Sequence, residues 1–274
     1  MIHIVTVHWQ NDSWIDIQLK YLNANIDQPF KIYAFLNGLE RDHRSKFFYS
    51  SSEPIESHAI KLNILADIAI FNAERDDDLL IFIDGDAFPV RALLPFAYAK
   101  LSEYRLVAVQ RKENLGDMQP HPSCCLTTTG FWREIGGDWK EGFVWKNTMG
   151  EYVTDVGGNL LQILNEHKIK WYPMLRSNKL DLHPIWFGIY EDLVYHHGAG
   201  FRIPLSRADV EKFNFIKFLY WKIFGWLPRW FKNAIPEEHR PLGKTAMENR
   251  AISEKIFASI LSDPAFYEFF RREE

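Results

Sequence analysis

The chain reads as an α/β protein built on a mostly parallel sheet, and three observations predict it. Short apolar runs rich in β-branched residues alternate with helix-spaced segments through the first half. The runs are continuously apolar, as strands covered on both faces by helices must be. Turn signals such as Asn37-Gly38 close them.

Ile2–His8 is the first strand. Asp12–Leu22 follows as a helix, with Asn11 or Asp12 as its cap. Phe30–Leu36 is the second strand. Ser57–Phe71 carries Ile60, Ile64, Leu65, Ile68 and Phe71 at helical spacing. Leu79–Ile83 is a third, buried strand and Leu106–Val109 a fourth. From Gln110 to Gly150 glycine, proline and tryptophan become frequent and periodicity fades, which fits loops and mixed strands around a site. Thr154–His167 reads as a loop leading into a helix, Leu193–His197 as a late strand, and Thr245–Phe270 as a final helix. The expected division is a catalytic domain over 1–205 and a helical, aromatic and basic extension over 206–274.

Composition bounds the function. A chain of 274 residues, 47% hydrophobic and 25% charged, builds an ordinary globular core without disulfides. Its two cysteines, Cys124 and Cys125, are adjacent and poorly placed to bridge each other, so a reducing compartment is the simplest reading. A net charge of −4 gives no basic field for nucleic acid. Met1–Val7 has no basic leader and reads as a strand rather than a signal peptide, and no apolar run is long enough to span a bilayer. A cytoplasmic protein is expected.

The strand Leu79–Ile83 runs straight into Asp84-Gly85-Asp86. In open α/β sheets ligands bind beyond the carboxyl ends of strands. Residues two apart on an extended segment face the same way, so both carboxylates can meet one cation. The glycine between them lets backbone pass close to a ligand. Hard oxygen donors suit Mn²⁺ or Mg²⁺, which can neutralise a departing nucleoside diphosphate. The plainer alternative is an Asp-Gly turn.

By this motif and its strand order, the chain over about Met1–Pro204 resembles the GT-A glycosyltransferases, whose D-x-D motif ends a central strand. The resemblance implies a Rossmann-like nucleotide-sugar domain, a divalent metal and sugar transfer. Several GT-A families complete the metal site with a late histidine followed by glycine. Val194-Tyr195-His196-His197-Gly198-Ala199-Gly200 offers two. Adjacent strand residues face opposite sides, so only one of His196 and His197 can readily join the acids. A glycine three positions after the ligand selects His197. The usual basic-Pro-Trp continuation is replaced by Phe201-Arg202-Ile203-Pro204, in which Arg202 could pair with phosphate.

The same resemblance suggests the remaining roles. Asp155, in Thr154-Asp155-Val156-Gly157-Gly158, stands where these enzymes place a general base or a group stabilising the sugar; it is equally suited to cap the following helix. Donor contacts are expected from Thr6 and His8 at the end of the first strand, from His58 and Lys61 on the second helix, and from Gly85, Thr129, Gly130 and Gly198. His121, Asp138 and Trp139 are candidates for the acceptor side, although tryptophan is also common in cores.

Between residues 212 and 236 the cations Lys212, Lys217, Lys222, Arg229 and Lys232 stand among many aromatics with no acid. That composition fits an interfacial membrane segment, a helix packed on the catalytic domain, or an oligomer contact. The expected activity is metal-assisted transfer from a nucleotide diphospho-sugar, UDP by default, to a glycan or lipid-linked glycan. The alternatives are a nucleotidyltransferase, a nucleotide-sugar hydrolase or a non-catalytic binding module. The first strand lacks the glycine-rich basic loop that a nucleotidyltransferase would show.

Overall fold

The computed structural model describes residues 1–148, 150–183, 186–198 and 246–271. Its elements in chain order begin with β1 (Ile2–Trp9), α1 (Ser13–Asn25), β2 (Phe30–Asn37), β3 (Tyr49–Ser51) and α2 (His58–Phe71). Then come β4 (Leu79–Phe82), β5 (Ala87–Pro89), α3 (Leu93–Leu101), β6 (Leu106–Val109), β7 (His121–Thr128) and α4 (Thr129–Ile135). A small hairpin of β8 (Trp145–Lys146) and β9 (Tyr152–Val153) precedes α5 (Gly158–Glu166), β10 (Tyr172–Met174), β11 (Gly188–Tyr190) and β12 (Val194–His196). The last elements are α6 (Ala246–Ser262) and a 3-10 turn at Phe266–Arg271.

The main sheet has seven strands in the order β10-β6-β7-β4-β1-β2-β3. It is parallel except for β7, which runs antiparallel to both β4 and β6. One face packs Ile2, Ile4 and Ile81 against Ile15 and Leu22 of α1 and Leu93 of α3. The other packs Val5, Val7 and Phe82 against Leu62 and Leu65 of α2, Phe131 of α4 and Leu160 of α5. This is a doubly wound, Rossmann-like α/β fold, as the continuous apolar strands predict.

A second sheet of three strands, β11-β12-β5, stands beyond the end of β4. β5 begins immediately after the acid motif, and β12 lies beside it with His196 opposite Ala87. The C-terminal residues close this sheet, because Ile256, Ile260, Phe266 and Phe270 pack with Trp14, Phe88 and Tyr195. Among the described residues, no helix is long and apolar enough to cross a membrane. The aromatic and basic stretch 212–236 lies outside the described residues.

Candidate active site

The acids come from the most buried part of the sheet. β4 and Ile83 are fully enclosed, and Ile83 N donates to Val5 O at 2.9 Å, so the chain is held until it turns. Ala87 N donates to Asp84 O at 2.9 Å and closes the turn. The side chains of Asp84 and Asp86 are 14% and 15% exposed. Packing alone requires a glycine at position 85. A Cβ there would sit 2.5 Å from Val7 O and 2.8 Å from His8 Nδ1. The close approach expected of this glycine is to β1.

A residue that sequence reading passes over fixes the turn from behind. Gln18 of α1 donates from Nε2 to Asp84 O at 2.7 Å and to Ala87 O at 2.8 Å. Its Oε1 accepts from Thr6 Oγ1 at 3.2 Å. The Thr6 hydroxyl thus faces Gln18, and Thr6 is fully buried. His8 is also buried, and that burial pushes its imidazole down to about 4. The available signal was a glutamine on an otherwise apolar helix face.

Strand alternation decides between the paired histidines. His196 Nε2 lies 3.4 Å from Asp86 Oδ1 and 3.7 Å from Asp84 Oδ2. His197 points the other way. Its Nδ1 meets Tyr195 Oη at 2.9 Å, its Nε2 meets Ser253 Oγ at 2.8 Å, and its ring packs on Trp14. The glycine spacing that favoured His197 is therefore corrected, and burial lowers that imidazole to about 3. For His196 burial opposes the charged form, but Asp86 and then Asp84 outweigh it and raise its pKa.

Two further histidines reach Asp84. His58, first residue of α2, places Nε2 3.1 Å from Asp84 Oδ1. His121 enters because β7 runs antiparallel and so begins at this edge; its Nδ1 is 3.9 Å from Asp84 Oδ2. That nitrogen accepts from Ser123 N at 3.1 Å, which leaves the ring proton on Nε2. Burial first, then the nearby Arg111 and His196, hold His121 well below its ordinary pKa. His121 thus stands within the acid cluster.

Among the described residues, no group of three or more His, Cys, Asp or Glu side chains is arranged to hold a metal ion. The donor chemistry of Asp84, Asp86 and His196 nonetheless fits a divalent ion of the Mn²⁺ type, two hard oxygens and one imidazole nitrogen. Neighbouring ligands about 2.1 Å from an ion lie about 3.0–3.5 Å apart. The separations of 3.4 and 3.7 Å from His196 are within a few tenths of an ångström of that range.

Asp155 borders this cluster with its side chain 42% exposed. Its Oδ2 accepts from Arg111 Nη2 at 2.9 Å and its Oδ1 from Val156 N at 2.8 Å. It does not cap α5, because Gly157, at φ +92, occupies the cap position. Arg111 also reaches Asp117 at 3.1 Å, and both side chains are largely buried. Burial raises the Asp117 carboxyl against the pull of Arg111. The loop bearing Arg111 has no periodicity from which its inward position was readable.

Other expected contacts fall elsewhere. Thr128 is the register partner of Leu79, at the amino end of β4, so Thr129 and Gly130 lie at the opposite edge of the sheet from Asp84. There Thr129 Oγ1 donates to Arg75 O at 3.0 Å and Gly130 N to Asp76 O at 2.9 Å. The donor role expected of both is corrected by the direction of β7. Asp138 accepts from Asn63, Asn159 and the Lys140 amide, tying α2 to α5. Trp139 is fully buried against Trp132 and Phe82. Lys61 is buried, with Nζ 3.8 Å from the centroid of the Trp9 ring at the carboxyl end of β1. Burial lowers its ammonium to about 8. Gly198 follows the site strand at φ +77. Arg202 and Gly200 lie outside the described residues.

No protein-family model and no curated protein sequence matches the chain. Solved structures similar to it include the galactosyltransferase LgtC with donor and acceptor sugar analogues, at 14% identity and TM-score 0.33, over 48% of this chain and 60% of that one. The chain thus spans less than two thirds of LgtC. TarS 1–349 of S. aureus in complex with UDP aligns at 12% identity and TM-score 0.37, over 96% and 92% of the two chains. The mannosyltransferase PcManGT from Pyrobaculum calidifontis with GDP-Man and Mn²⁺ aligns at 11% and 0.44, over 96% and 74%. LgtC and PcManGT are glycosyltransferases by name; at such low scores the fold class rests on the strand order itself.

Proposed function

We propose that the chain is a metal-assisted glycosyltransferase that moves a sugar from a nucleotide diphospho-sugar to a glycan or lipid-linked glycan. The observation that carries this reading is the convergence of Asp84 and Asp86, from the end of β4, with His196, from β12. These three would hold Mn²⁺ or Mg²⁺, which when bound neutralises charge on the departing diphosphate. Lys61 and Trp9 form a cationic and aromatic corner at the end of β1, suited to phosphate or base. Asp155, fixed by Arg111, presents a carboxylate to the reacting sugar or the acceptor hydroxyl. UDP is favoured through the GT-A resemblance alone. Arg202 is assigned to the diphosphate. Residues 1–205 form the catalytic unit in this reading. The basic, aromatic segment 212–236 within 206–274 provides a peripheral contact with the cytoplasmic face of a membrane.

The test is release of nucleoside diphosphate from a panel of UDP- and GDP-sugars, with Mn²⁺ or with chelator. Release from one donor that chelator abolishes is expected. Metal-independent turnover, or no binding of any nucleotide sugar, rejects the reading. A hydrolase would release the same diphosphate without needing an acceptor, so acceptor dependence separates the two enzymes. A nucleotidyltransferase would release pyrophosphate. A non-catalytic module would bind a donor without turnover.

A further inference from the structure

We infer that His58 is a positioning residue for Asp84, fixing the orientation of its carboxylate plane toward the cation; the inference rests on the metal-assisted reading above. The two oxygens of Asp84 stand in different surroundings. Oδ1 meets His58 Nε2 at 3.1 Å, while Oδ2 faces His196 at 3.7 Å and His121 at 3.9 Å. The terminal torsion of an aspartate is broad, so a carboxylate without a directional partner readily rotates its plane away from the cation. His58 supplies that direction from a rigid base. Ser57 caps α2, its Oγ accepting from Ile60 N at 3.3 Å. Ala59, Leu62 and Leu65 then bury the helix on the core that contains Phe82. The imidazole therefore reaches the acid from an element fixed relative to β4. Partners that orient a ligand in this way typically contribute about 10–100-fold to metal affinity.

His58 is 37% exposed, so its removal opens no core cavity. The test is Mn²⁺ titration of the full chain, followed by the signal of free Mn²⁺ in electron paramagnetic resonance. Wild type, H58A, H58Q and D84N are compared, with thermal melts of each. H58A should weaken Mn²⁺ binding about 10–100-fold with an unchanged melt. H58Q, which keeps an N–H donor, should recover most of the loss. If D84N abolishes binding and H58A binds as wild type does, the positioning role is overturned and the metal reading survives. If wild type itself binds no Mn²⁺, both fall. Pulsed measurements should show coupling to one imidazole nitrogen, unchanged in H58A. A second nitrogen lost in H58A would make His58 a ligand and overturn the positioning role.

Discussion

Replacing Gly85 with alanine tests the packing that presents the acid pair. The added Cβ would lie 2.5 Å from Val7 O and 2.8 Å from His8 Nδ1. Ordinary contact needs about 3.5 Å, so about 1 Å must be found. β1 cannot supply it, because Val7 sits mid-sheet with Phe35 as its register partner and its carbonyl belongs to the backbone. The turn 84–86 must move instead. A shift of that size stretches the 2.7 and 2.8 Å bonds from Gln18 toward breaking and carries both carboxylates away from His196. Overpacking of this kind costs about 1–3 kcal/mol. At about 2–4 °C per kcal/mol for a large domain, the melting temperature should fall by about 2–12 °C. Mn²⁺ affinity and diphosphate release should fall with it. Scanning calorimetry and Mn²⁺ titration of G85A against wild type provide the measurement. An alanine variant that melts and binds Mn²⁺ like wild type would refute the claim that β1 braces the motif.

Four other substitutions probe separate features. H196A should lose more Mn²⁺ affinity than the ~10–100-fold typical of an outer partner, whereas H197A should bind within a few-fold of wild type yet melt earlier by about 1–3 kcal/mol of lost hydrogen bonding; the reverse pattern in titration and calorimetry contradicts the strand alternation. Q18L keeps the volume but removes the bonds to Asp84 O, which keeps Ala87 N as a donor, and to Ala87 O, at about 1–3 kcal/mol in total, so denaturant melts should show a clear loss of stability together with weaker Mn²⁺ binding. Lys61 is pushed down to about 8 by burial, while the unfolded chain holds the proton to about 10.4. Unfolding therefore takes up a proton between those values, and stability from this group rises as pH climbs through that window. K61M should flatten that rise, raise stability at neutral pH and weaken nucleotide-sugar binding; an unchanged pH profile by melting would show that Lys61 is not held charged at a cost.

The sequence was most informative where apolar pattern and chemistry coincided. Leu79–Ile83 running into Asp84 located both a central strand and the acids, because a buried parallel strand leaves a run that little else produces. The helix beginning near Ser57 was readable from spacing and cap together. Strand direction was not, since period-2 alternation is the same read either way. The GT-A resemblance placed Thr129 and Gly130 at the site, and the antiparallel course of β7 puts them at the opposite edge. The same reversal carries His121 to Asp84. Gln18 and Arg111 were missed because each acts through the chain's third dimension, one on a helix face and one in a loop without periodicity. His197 was favoured by a motif spacing, and a single-residue step in a strand reverses the face a side chain presents.

The ladder between β5 and β12 sets Ala87 opposite His196. The span from acid to imidazole is therefore fixed by a hydrogen-bonded pair of neighbouring strands and does not depend on how much chain separates them. Surface excursions between them, such as the hairpin of β8 and β9, can lengthen, shorten or be exchanged while that span stays constant. The molecule is in this sense a fixed jaw with interchangeable lips. Variants recombined at those loops should differ in which acceptor they admit while keeping a common metal affinity.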